Sequence, residues 1–172
     1  MTNNEPLYAA MLGVAALGFL TGFWLLPGGV LALRRRALGE LQVDVRPGYS
    51  PKTLYRLLRL YGADGVRSFR RMLMADLIFP AVYGSLFWVL GDLALAAHPA
   101  AFWPASFAQV LGIIAAGLDY LENCFLLLAL RSFPVERPFA ARAAGISTSL
   151  KLLSIIAAAG ALVAATLTHW TP

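Results

Sequence analysis

Residues 102–131 read "FWPASFAQVLGIIAAGLDYLENCFLLLALR". A helix rises about 1.5 Å per residue and bilayer hydrocarbon is about 30 Å thick, so the run from Phe102 to Leu130 is long and apolar enough to span a membrane. Inside it lie Asp119, Glu122 and Asn123. An ionised carboxylate at the bilayer centre costs about 2.5–3.5 kcal/mol on insertion, so such residues face a bundle interior and mark a functional site. The stretch therefore reads at once as a membrane span and as the bearer of a buried polar face.

Three other runs have the same character: Leu7 to Leu33, Met72 to Ala97 and Ala143 to Thr168. With 59% hydrophobic residues, 13% charged and a mean hydropathy of +0.69, little of the 172-residue chain is left for a soluble unit. The expected fold is an all-α, integral membrane four-helix bundle, a single transmembrane domain over residues 1–172. The first run has no basic residues before it and exceeds the apolar core of a signal peptide, so it is expected to stay as a span. Cys124 is the one cysteine, which excludes an intrachain disulfide.

Charge gives an orientation. Thirteen of the fourteen Lys and Arg residues fall between Arg34 and Arg71 or between Arg131 and Arg142, while the termini and the "AAHPAAFWPA" turn (96–105) carry none. By the positive-inside rule both basic loops are cytoplasmic and both termini outside. The net charge of +5 then serves contact with anionic lipid headgroups. Nucleic-acid binding is excluded as an explanation, because the basic residues flank spans and no recognition motif accompanies them.

The first basic loop contains a short amphipathic helix within residues 50–71. In "YSPKTLYRLLRLYG" (49–62), Ser50 caps, Pro51 takes the first helical position, and Leu54, Leu57, Leu58 and Tyr61 share one face up to Gly62. Lys52, Arg56 and Arg59 take the other. Such a helix lies on the inner leaflet, covers the end of the bundle, or does both. Asp64 is placed to cap a following helix, "GVRSFRR", that runs into the second span.

The spans direct polar residues to one interior. Asp76, Pro80 and Tyr83 follow i, i+4, i+7 spacing; Asp119, Glu122 and Asn123 follow i, i+3, i+4; Ser147, Lys151 and Ser154 repeat the pattern in span four. Glu122 is nine residues from Arg131 and Lys151 nine from Arg142, so both lie about 13 Å deep and are expected to pair. Asp119 is about 18 Å deep and Asp76 about 7 Å. Three acids against one lysine cannot all stay ionised cheaply, so the site needs a proton, a bound cation or a loop arginine such as Arg34. Span one breaks at the same depth, at Pro27, Gly28 and Gly29 in "LLPGGV", and its Gly18 and Gly22 form a small-xxx-small pair suited to close packing.

No cofactor or metal is expected. His98 and His169 lie at span ends, which excludes paired haem ligands and an H-E-x-x-H zinc site, and there is no G-x-S-x-G or P-loop. Asp76, Asp119 and Glu122 could hold an oxygen-preferring ion such as Mg²⁺ only in one plane, and their depths are staggered.

"DVRPGY" (44–49), "ADLIFPAVYG" (75–84), "LDYLEN" (118–123) and then Lys151 resemble, in that order, a family of small, mainly bacterial four-span membrane proteins of no assigned activity. That resemblance covers most of the chain and implies a bacterial inner (plasma) membrane. The helix at 49–62 and the acid-then-proline start of span two are also similar to the EXPERA fold of the emopamil-binding and sigma-2 receptor proteins. That likeness implies binding of sterol-like or cationic amphiphiles, with Asp76 as the acid facing a lipophilic cation.

The resulting functional reading is a site for a small lipophilic or cationic molecule, or for protons, formed by Asp76, Tyr83, Asp119, Glu122, Asn123 and Lys151. An enzyme reading stands beside it: acid–base chemistry on a lipid-like substrate by Asp76, Asp119 or Glu122. A third makes the chain a structural subunit of a membrane complex or a homo-oligomer, because polar networks also lock membrane helices together.

Overall fold

The computed structural model describes residues 4–25 and 29–167. Six helices follow one another: α1 (Glu5–Leu25), α2 (Val30–Arg36), α3 (Pro51–Asp76), α4 (Phe79–Ala97), α5 (Phe102–Ser132) and α6 (Pro138–Leu167). The described residues form no strand, and four helical stretches are long and apolar enough to cross a membrane. The fold is thus the expected all-α bundle. Pro27 and Gly28, singled out for the break in span one, lie outside the described residues, as does Thr168.

α5 is the most buried of the four and α1 the least. α5 packs along α6 on one side and α4 on the other. Small residues allow the approach: a Cβ at Gly84 would come within 3.1 Å of the Ala116 Cβ. Gly18 does not serve in this way, since a Cβ there would meet nothing within 4 Å. α1 reaches the bundle through aromatic rings instead, Phe19 stacking on Phe79 at 5.2 Å.

α3 starts as its sequence dictates. Ser50 Oγ accepts from the Thr53 N–H at 3.3 Å, and Pro51 stands at the first turn where a missing N–H costs nothing. Leu54, Leu57, Leu58 and Tyr61 are buried against Leu126, Leu130, Ala140 and Ala144, while Lys52, Arg56 and Arg59 point outward. The amphipathic helix is therefore a cover packed across the end of the bundle. Gly62, at φ 66° and ψ 179°, interrupts it in a conformation a Cβ would strain. Asp64 then accepts from Arg67 rather than from a backbone N–H.

Span two differs from the single helix expected over 72–97. α3 ends at Asp76 and α4 begins at Phe79, with Pro80 in its first turn. Pro80 lacks an N–H, and in a continuous helix its ring would press on the Asp76 carbonyl four residues back. The chain turns there. Asp76 is thereby the last residue of one helix, while Tyr83 belongs to the next.

Residues 37–50 fold back over α6. Gly48 N–H donates to Ser149 Oγ at 2.9 Å, and a Cβ at Gly145 would stand 2.6 Å from the Tyr49 carbonyl oxygen, so the loop backbone lies directly on the helix. A 3-10 turn, Val43–Val45, carries Asp44 inward. Outside it, Glu40 is held by Arg46 at 3.0 Å and by Arg56, and the Arg56 guanidinium lowers its pKa to about 2.

Candidate functional site

Lys151 is the centre of the polar interior. Its Nζ donates to Asp119 Oδ1 at 2.9 Å and lies 2.6 Å from Glu122 Oε2. The second contact is an ion pair without hydrogen-bond angles, and Glu122 Oε2 has no other partner. A third ammonium direction is taken by the Asp44 carbonyl at 3.4 Å. Glu122 and Lys151 do meet at one level, as counting along the helices implies, but Lys151 is shared with Asp119 as well.

The other site residues complete a chain of contacts. Tyr83 donates from its hydroxyl to Asp119 Oδ2 at 3.1 Å, which brings α4 to α5. Asn123 Nδ2 donates to Asp76 Oδ2 at 2.8 Å and ties the end of α3 to the same face of α5. Thr148, one turn before Lys151, donates to Glu122 Oε1 at 2.6 Å. All six residues named from the sequence thus gather in one place. Ser147 and Ser154, on the Lys151 face, make no hydrogen bond within the cluster, and Arg34 does not reach it: its Nε donates to the Gly39 carbonyl at 2.8 Å.

A cavity of about 180 Å³ opens against this cluster. Asp44, Asp76, Asp119 and Lys151 form its polar end; Phe19, Phe23, Trp24, Phe79 and Tyr83 are among its walls. Glu122 and Asn123 stand behind that end and not on the wall. Four acids therefore gather near one ammonium that pairs directly with only Asp119 and Glu122, and removing that many charges from water is costly unless each is paired. Asp76 has only an amide partner, and Asp44 Oδ1 is buried with none. Burial pushes the Asp44 carboxyl above its ordinary pKa, against the pull of Lys151.

Asp44 and Thr148 were not singled out in the sequence. Asp44 carried one usable signal, an acid set between two valines and just before Arg46. Thr148 carried none beyond its place one turn from Lys151. A second polar pair, also missed, lies farther along the bundle: Gln109 Nε2 donates to Asp92 Oδ1 at 2.8 Å and to the Trp88 carbonyl at 3.0 Å. Among the described residues, no three His, Cys, Asp or Glu side chains converge as metal ligands would. Comparison of the chain with known protein families, curated proteins and solved structures finds no match.

Proposed function

We propose that the cavity binds a small organic cation with an apolar body, or protons when no such molecule is present. The observation that carries this reading is the surplus of acid: Asp44, Asp76, Asp119 and Glu122 around Lys151 alone, at the end of an aromatic-walled cavity. An incoming ammonium supplies the missing charge and the donor that Asp44 Oδ1 lacks. Phe and Trp faces favour a desolvated cation over a neutral group of equal size. At about 180 Å³ the space suits a headgroup and not a drug-sized molecule, which needs about 300 Å³ or more. The likeness to the EXPERA fold supports the same choice, with Asp76 toward the cation.

The test compares amphiphiles of one length that differ in charge. N,N-dimethyloctylamine should raise the melting temperature of the detergent-solubilised protein, octanol should not, and Asp76→Asn should remove the amine's effect. Equal shifts from amine and alcohol would discard the reading. Acid–base chemistry on a lipid-like substrate is the second reading, favoured by the Tyr83 hydroxyl and the Asp76 carboxyl sharing one cavity wall. A co-purified lipid altered by the wild type but not by Asp119→Asn would select it.

We further infer that the chain sits in a bacterial inner membrane, as its resemblance to the small four-span family implies, with its basic loop end in the cytoplasm, on the strength of its charge asymmetry. In a Cys124→Ser background, a cysteine replacing Gly39 should be labelled only from inside and one replacing Asn4 only from outside. The opposite pattern would reverse the orientation.

A further inference from the structure

A groove of about 560 Å³ lies at the basic loop end, away from the acidic cavity, where the break in α3 meets the end of α5. Gly62 and Ala63 leave it deep because neither offers a long side chain, and Leu58, Val66, Leu130 and Phe133 give it an apolar floor. Arg59, Arg67, Arg70 and Arg131 surround that floor.

Two of these arginines are neutralised and two are not. Arg59 pairs with Glu136 at 2.8 Å and Arg67 with Asp64. Arg70 spends one Nη on the Leu130 carbonyl at 3.2 Å, which fixes its direction without cancelling its charge. Arg131 has no acidic partner among the described residues. An oriented guanidinium and a second unpaired one lining the same cleft form an arrangement suited to gripping a phosphate through paired N–H donors.

The groove's level selects the source of that phosphate. Arg131 directly follows the apolar run of α5, so the cleft lies where a hydrocarbon layer would end. The adjoining turn exposes Val135 and the start of α6 exposes Phe139, which are 69% and 79% accessible and suit acyl chains better than water. We propose that this groove is a discrete binding site for the phosphate headgroup of one anionic phospholipid, held by Arg70 and Arg131 with its glycerol over the apolar floor. It differs from the diffuse attraction of both basic loops to an anionic surface in being a single site with two named ligating side chains.

Lipid retention reads this out directly. Protein in an uncharged detergent is equilibrated with equal amounts of phosphatidylglycerol and phosphatidylcholine, and bound lipids are counted by native mass spectrometry. The wild type should keep one phosphatidylglycerol in preference. Arg70→Gln and Arg131→Gln should each weaken that preference by about fivefold, the usual worth of one basic residue at an anionic surface. Arg35→Gln, outside the groove, removes the same single charge and should leave the preference intact; loss by that control as great as by either groove variant would mean diffuse attraction and overturn the site. Displacement of the lipid by inorganic phosphate alone would assign the groove to a soluble anion and overturn the lipid. Arg131→Gln breaks no side-chain hydrogen bond or ion pair among the described residues, so its retention can be read even if Arg70→Gln fails to fold.

Discussion

Two polar layers lie inside the same bundle, and they are built on different terms. Asp92 with Gln109 is a local clasp between α4 and α5: one amide nitrogen reaches one carboxylate and one backbone carbonyl. One acid stands there, not four. The cluster around Lys151 gathers four acids from the 37–50 loop, α3 and α5 against one lysine of α6, and it borders a cavity. A clasp needs only satisfied hydrogen bonds, whereas an uncompensated excess of one sign persists only when something else balances it. The contrast separates residues that hold helices together from residues that wait for a partner.

The largest effect should come from removing the ammonium. Lys151→Met strands Asp119 and Glu122 together, and breaking a buried pair costs about 3–5 kcal/mol. Glu122→Gln in the same chain should recover part of that loss, and adding Asp119→Asn should recover more, measured as detergent melting temperatures through a mutant cycle. Strictly additive losses would show that these groups do not share one charge and would dissolve the distinction between the layers.

The clasp should respond far less. Gln109→Leu removes two hydrogen bonds of a kind that averages about 0.6 kcal/mol and reaches about 1.7 kcal/mol inside membranes. Amine binding at the cavity should be unchanged in this variant. A loss of binding there would mean that the two layers act as one.

The smallest effect concerns pH and bears on Asp44. Burial raises its carboxyl in the folded state above 3.8, so the fold binds its proton more tightly than the unfolded chain does. The stabilisation is complete below about pH 3.8 and fades as pH rises through the folded value. Asp44→Asn keeps the shape without the charge. Its melting temperature should therefore match that of the wild type in acid and exceed it increasingly toward neutral pH. A constant difference across pH would show that the Asp44 carboxyl is not desolvated.

Much of the molecule was legible from order along the chain. Hydropathy and length decide four spans because every backbone amide in hydrocarbon must bond within its own helix, and that constraint is local. The pairing of Glu122 with Lys151 follows from depth, since helical rise converts residue number into height. The Ser50 cap and the buried face of Leu54, Leu57, Leu58 and Tyr61 follow from spacing in the same way. Height along a helix does not say which neighbour stands beside it, and tertiary structure alone decided that Lys151 also faces Asp119 and that Thr148 completes Glu122. Nor does order reveal a loop returning upon the bundle. Asp44 enters the site because Gly145 lets the backbone of Tyr49 lie on α6, a contact between residues almost a hundred positions apart. The turn at Asp76 is the intermediate case: Pro80 carried a local signal for it that the reading of 72–97 as one span did not use, and only the packing of Asn123 against that freed carboxylate made it part of the site.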